Sequence, residues 1–184
     1  MRRGGSAYER ELKEILQGVP DRIRRYARHL PPADRGEFER IVDRPFLVIR
    51  AAGSLGFDLV ALRREFAFPL EVKSSREASV RFTANSGRAL DQLASHRHAV
   101  ERVGLMVLYA YRRVGEAGEE PWRLFSAGGS PSAGGVIGVL SRRLPPIETT
   151  REGNAILRWD SGMPLSSFVR TVRLLTEPMP PVAA

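Results

Sequence analysis

Three runs rich in β-branched and aromatic residues crowd into one short stretch of this chain: PFLVIRA at 45–51, FDLVAL at 57–62 and FAFPLEVKS at 66–74. The loop AGSLG separates the first two, and RRE separates the last two. Runs of this composition, bounded by turn residues, read as strands. Three strands this close together predict an antiparallel meander, and the rest of the chain must pack around it. Pro69 lies inside the third run. A proline cannot donate to a ladder, so that strand either starts irregularly or carries Pro69 where one amide need not pair.

The flanking segments follow a helical period. GSAYERELKEIL (5–16) puts Tyr8, Leu12 and Ile15 on one face, and Ser6 with Glu9 has the spacing of a capping box. PDRIRRYARHL (20–30) and DRGEFERIVD (34–43) read as two charged helices broken by Pro31-Pro32. NSGRALDQLASHRHAVERV (85–103) reads as a further helix, and GLMVLYAYR (104–112) as an apolar strand at the sheet centre. PWRLFS (121–126) and NAILRW (154–159) read as strands, AGGSPSAGG (127–135) as a flexible loop, PLSSFVRTVRLL (164–175) as a terminal helix and EPMPPVAA as a frayed tail. No internal repeat is visible. This order predicts an α/β sandwich around a mixed sheet. One domain is expected over 1–160, with a helical insert at about 18–44 and a C-terminal extension over 161–184.

Composition sets the bounds on function. The chain has 184 residues, 42% of them hydrophobic, enough for a packed core. It has no cysteine, which excludes disulfides and thiolate metal sites. The longest apolar run, GLMVLYAY, is strand length, so no membrane span is expected. The N-terminus turns polar at once, so no signal peptide is expected and a cytoplasmic location is the default. The 29 basic residues outnumber the 21 acidic ones, for a net charge of +8. Such an excess suits a polyanionic partner, nucleic acid first and an anionic membrane second, although arginine enrichment through genome composition or thermal adaptation produces the same balance.

The meander also carries the candidate chemistry. Asp58 opens the second strand, and Glu71 and Lys73, two apart on the third, share a face. The hairpin lets Asp58 and Glu71 converge. With the Val72 backbone carbonyl they form an oxygen set suited to Mg²⁺. Lys73 would then stand beside the scissile phosphate and the attacking water. The bare spacing, Asp then twelve residues then Glu-x-Lys, fits equally an ordinary hairpin with a solvated polar face. Three features weigh on the other side. Lys73 is one of only two lysines among the 29 basic residues. Arginine is a permanent cation, whereas lysine is a compact donor whose pKa can shift. Glu9, besides its capping role, could supply a third carboxylate. The loop AAGSLGF, with Ser54, allows close backbone approach to phosphate. His96 and His98 are two apart on a helix and face differently, so no metal site is expected there.

In this order, RRGGSAYERELKEIL, VIRAAGS, FDLVAL and LEVKSS resemble the archaeal-type Holliday junction resolvases, the Hjc family of the PD-(D/E)xK nuclease superfamily. The likeness covers about residues 2–75 and is interrupted by the insert; LDQL, GLMVLYAYR and PWRLF resemble the family's following helix and last strands. It implies a restriction-endonuclease-like fold, with a mixed central β-sheet flanked by helices. It further implies a homodimeric nuclease that nicks two opposing strands of four-way DNA junctions with Mg²⁺, or Mn²⁺ in its place. A recombination-protein partner is compatible with this but unidentified. Glu9, Asp58, Glu71 and Lys73 fall on the family's catalytic positions, Ser54 on a loop serine important for cleavage, and Arg2, Arg3 and Arg10 where basic residues meet DNA. Ser74 and Arg76, next along the third strand, join the expected DNA-binding set. Gln92 occupies a position often polar in related nucleases. Phe57 stands where the pattern usually has proline. The insert, with Arg22, Arg24, Arg25 and Arg28, has no counterpart in the pattern and reads as a solvated helical cover or an added DNA contact. Two rival readings remain: another nuclease of the superfamily acting on duplex DNA in repair or restriction, and a catalytically silent junction-binding protein.

Overall fold

A computed structural model of the chain describes residues 5–28, 30–51, 56–83, 88–115, 119–128 and 134–177, without the side chains of residues 5 and 6. The meander forms as the strand runs predict. β1 (Leu47–Arg50) pairs antiparallel with β2 (Leu59–Arg63), which pairs antiparallel with β3 (Phe66–Ser75). β3 then pairs parallel with β5 (Leu108–Arg113), and β6 (Trp122–Ser126) and the short β9 (Met163–Pro164) complete a six-stranded mixed sheet in the order β1-β2-β3-β5-β6-β9. β5 is central and its first four residues are buried.

β3 runs unbroken through Pro69, which resolves the two readings of that residue. Asp58 N–H donates to the Leu70 carbonyl, so even-numbered residues of β3 aim their amides at β2. Pro69 therefore faces the β5 side. That ladder begins only at Leu70–Leu108, one residue further on. The missing N–H falls where no ladder partner is required.

Among the described residues, one face of the sheet carries five helices. α1 (Gly5–Leu16) buries Leu12, Ile15 and Leu16 against it. α1 already includes Gly5, and the Ser6 side chain of the expected capping box lies outside what the structure describes. α2 (Pro20–Ala27) and α3 (Pro32–Asp43) each have proline in the first turn, where the missing N–H has no intrahelical acceptor to lose. Gly18, at φ +66°, turns the chain between α1 and α2; a Cβ there would meet the Ile41 carbonyl oxygen at 2.8 Å. α5 (Gly135–Arg143) and α6 (Leu165–Thr176) finish this layer. α5 begins at the last residue of the expected loop and continues into a stretch with no expected element: its glycines disfavour a helix locally, but Leu140 is fully buried and tertiary packing overrides the propensity.

The opposite face holds α4 (Ala89–Val103) and a second sheet absent from the sequence expectations. This sheet has three antiparallel strands, β4 (Ser79–Phe82), β8 (Ala155–Arg158) and β7 (Glu148–Thr149), with β8 in the middle. β8 is the strand read at NAILRW; β4 and β7 are too short to announce themselves by alternation. Alternate residues of β5 serve the two layers. Leu108 and Ala110 join the core beneath the five helices, whereas Tyr109 and Tyr111 join Phe82, Leu93, Val100 and Leu157 on the other side. α4 stops at Gly104, whose left-handed φ of +69° lets its N–H close on the Val100 carbonyl.

The insert helices and α6 pack on one another and on the core. Leu165, Phe168, Val169 and Val172 are buried, and Phe168 meets Phe68 edge-on at 5.6 Å. Glu37 of α3, 5% exposed, accepts both arms of Arg173 at 2.7 and 2.9 Å. Arg22 of the insert is bonded to Glu14, and Arg24 to Asp21, while Arg24, Arg25 and Arg28 are exposed.

Candidate active site

The site forms where the meander ladder ends. The last β2–β3 pair is Leu59–Leu70. One residue beyond, Asp58 bridges both neighbours of β2: its N–H donates to the Leu70 carbonyl at 3.1 Å, and its carbonyl accepts the Ala51 N–H at 3.1 Å. Its side chain then continues the ladder, with Oδ2 accepting the Val72 N–H at 2.7 Å. In a strand the N–H and C=O of one residue point the same way. The Val72 carbonyl therefore faces the same open margin as the Asp58 carboxylate, past the end of the ladder, although β3 itself is an interior strand.

Glu71 and Lys73 lie on the face covered by α4 and the second sheet, since they pair with Tyr109 and Tyr111. Lys73 Nζ donates to Glu71 Oε1 at 2.6 Å and sits 5.8 Å from the Phe82 ring centre. The lysine side chain is 22% exposed and the glutamate only 6%, so the ammonium is the member of the pair open to an incoming group. Glu71 Oε2 is buried and has no hydrogen-bond partner among the described residues. The Gln92 amide near it is given to the Gly56 carbonyl, at 2.6 Å.

Burial pushes the Asp58 carboxyl above its ordinary range despite the Val72 N–H, and Glu9 adds to the rise while Lys73 and Arg50 oppose it. Burial likewise raises Glu71, against Lys73, and Asp58 adds to the rise. Two buried carboxylates thus sit close enough to repel one another and lack full cationic compensation. An orphaned buried oxygen, a second carboxylate and a free-facing carbonyl are hard oxygen donors, and they fit a divalent cation of the Mg²⁺ type.

Glu9 is not part of that donor set in this arrangement. Its Oε2 holds Arg50, the last residue of β1, at 2.6 Å. Among the described residues no three His, Cys, Asp or Glu side chains come together as a metal site. Arg50 went unnoticed in the sequence, yet the antiparallel register that sets it opposite Leu59 brings it beside Asp58. Arg10, Ser74 and Arg76 are exposed on α1 and around the end of β3. Arg2, Arg3 and Ser54 lie outside the described residues.

α4 supplies two further groups. His96, 2% exposed, places Nε2 2.9 Å from the Gly56 carbonyl and Nδ1 2.8 Å from the Tyr109 hydroxyl. Phe57 stacks on its ring at 4.3 Å between centroids. His98 is exposed on another face of α4.

No family model matches the chain, and no curated protein matches it. Among solved structures it is similar to the 1.6 Å structure of Hjc from Archaeoglobus fulgidus, a Holliday junction resolvase from an archaeal hyperthermophile. The two are 18% identical over 74% of this chain and 92% of that one, with a TM-score of 0.44.

Proposed function

We propose that this protein is a metal-dependent, structure-specific endodeoxyribonuclease of the PD-(D/E)xK type that resolves four-way DNA junctions. The observation that carries the reading is the convergence of Asp58, Glu71 and Lys73 at the end of the meander ladder, with Glu71 Oε2 buried and unpartnered among the described residues. The motifs around these residues, from the E-R-E-L helix to E-V-K-S, support the junction-resolving substrate class. The net charge of +8 supports a polyanionic one.

Asp58, Glu71 and the Val72 carbonyl would hold Mg²⁺ or Mn²⁺, which supplies Lewis-acid charge to the scissile phosphate and to the attacking water. The Val72 N–H fixes one Asp58 oxygen and leaves the other for the cation. Lys73, oriented by Glu71 Oε1, presents its ammonium to the phosphate or to the water, where a compact, titratable donor is useful. Arg50 and the exposed Arg10 and Arg76 would meet flanking phosphates. Two copies related by a two-fold axis would match the symmetry of a junction and its paired nicks.

The test is cleavage of a four-way junction beside its component duplex arms in Mg²⁺, with wild type, Asp58→Asn and Lys73→Ala. The expected outcome is cutting of the junction alone by wild type, and retained binding with lost cutting in both variants. Equal cutting of arms and junction would replace the junction substrate by ordinary duplex. Binding without cutting in either metal would leave a silent junction-binding protein.

A further inference from the structure

Asp58 can serve a cation only if the turn before β2 delivers it in a fixed pose, and that turn is held from outside the meander. The Gly56 carbonyl accepts from Gln92 Nε2 at 2.6 Å and faces His96 Nε2 at 2.9 Å, from residues one turn apart on α4. Gly56 has φ +73°, a left-handed backbone that aims this carbonyl at α4 and that side chains beyond glycine rarely adopt. Phe57 lies nearly parallel to the imidazole, at 21°. Behind the imidazole stands Tyr109, on the strand that pairs with Glu71. Burial holds the tyrosine phenol well above its ordinary pKa and keeps His96 below its own. The Gly56 carbonyl can only accept, so in the neutral ring the proton sits on Nε2 and is donated to it, and the tyrosine O–H donates to Nδ1. The tautomer is set by a residue paired to one member of the site and used on the chain segment that carries another.

We propose that His96 is a positioning residue of the catalytic centre, its Tyr109-fixed Nε2–H and stacked ring locking Gly56-Phe57 so that Asp58 meets the Val72 amide and presents its free oxygen outward. The chemistry of Asp58 rests on the nuclease reading, whereas its geometry does not. A packing role alone would be served by any flat apolar ring. His96→Phe separates the two, because it retains volume and stacking and removes both polar contacts.

The first readout is independent of activity: the Val72 amide proton, whose shift and exchange protection report its bond to Asp58. In His96→Phe this amide should move upfield and exchange faster, toward the values of Asp58→Ala, in a variant that still melts cooperatively. The second readout is junction cleavage. His96→Phe should lower kcat by about 10- to 100-fold, with KM for the junction within about twofold of wild type, and should raise the Mg²⁺ concentration needed for half-maximal rate. If His96→Phe does not fold, Tyr109→Phe, which removes one hydroxyl, should show a smaller shift of the same amide and the same kcat–KM split. An unmoved Val72 amide in the folded variant overturns the proposal, as does a kcat that stays at the wild-type value. If wild type cuts no DNA yet the amide moves, the nuclease reading fails and the positioning role stands.

Discussion

Lys73 is held between a buried carboxylate and the Phe82 ring, with its ammonium still partly open. Arginine would keep the charge, but it ends in a larger planar fork in place of a compact donor, and it cannot give up a proton. Lys73→Arg should therefore lower the single-turnover cleavage rate by about 100-fold or more while leaving junction binding intact; a wild-type rate would remove the special role of lysine. The neighbouring carboxylates predict a pH effect on stability. Asp58 and Glu71 have folded pKa values raised above their ordinary ones, so the folded state binds their protons more tightly. Their contribution to stability is present below the ordinary carboxylate range and is lost as pH rises through the raised values. Glu37 runs the opposite way, its carboxyl lowered by Arg173, so wild type alone mixes the two signs. The comparison of wild type with the double variant Asp58→Asn, Glu71→Gln isolates the site. In metal-free buffer the double variant should gain melting temperature over wild type as pH rises from acid to neutral, and added Mg²⁺ should narrow the gap by stabilising wild type alone.

Elements define the site by where they stop. The β2–β3 ladder ends at Leu59–Leu70, and the Asp58 side chain takes over from backbone at Val72. α4 crosses above and pins the incoming turn. On the other side of the sheet, α3 and α6 are tied by Glu37 to Arg173, with Arg40 and Arg170 each 3.5 Å away and a separate Arg170–Asp34 pair. Arg173→Ala would strip the bidentate partner from a carboxylate that is 5% exposed and leave only the two longer contacts. This should cost about 2 kcal/mol of unfolding free energy, read as a lower midpoint in urea at unchanged slope. An unchanged midpoint would show that Arg40 and Arg170 suffice.

For the molecule as a whole, the described part of the stretch expected to be a C-terminal extension packs into the core. Leu165, Phe168, Val169 and Val172 lie in the same core as Phe68 and Leu70 of the site strand. Glu120, itself buried, ties the start of α6 to the rest by accepting the Ser166 N–H at 2.8 Å and the Tyr26 hydroxyl at 3.0 Å. A chain ending at residue 160 loses four buried apolar side chains, each contributing about 1.5–3 kcal/mol, which exceeds the margin of most small domains. It should therefore fail to unfold cooperatively on heating and should be digested quickly by protease. A sharp melt near that of the full chain would show that α6 is dispensable.

What the amino-acid sequence determined on its own is the meander and the meeting of Asp58 with Glu71-Val72-Lys73. These residues span 16 positions joined by one hairpin, and strand period and turn length set their register without help from the rest of the chain. The apolar run of β5 likewise announced a central strand, because burial on both faces leaves no alternation to hide. Tertiary structure alone decided the partners that arrive from afar. His96 reaches Gly56 across 40 residues, Arg50 reaches Glu9 across 41, and Arg173 reaches Glu37 across 136. No local pattern encodes such pairings: a histidine at a core position of α4 has the same helical spacing whether it packs, binds or positions. β4 and α5 were missed for a related reason, since four half-polar residues and a glycine-rich helix acquire their form from the surfaces they cover. Long-range packing thus chose which oxygens of the site are bonded and which, like Glu71 Oε2, are left buried without a partner among the described residues.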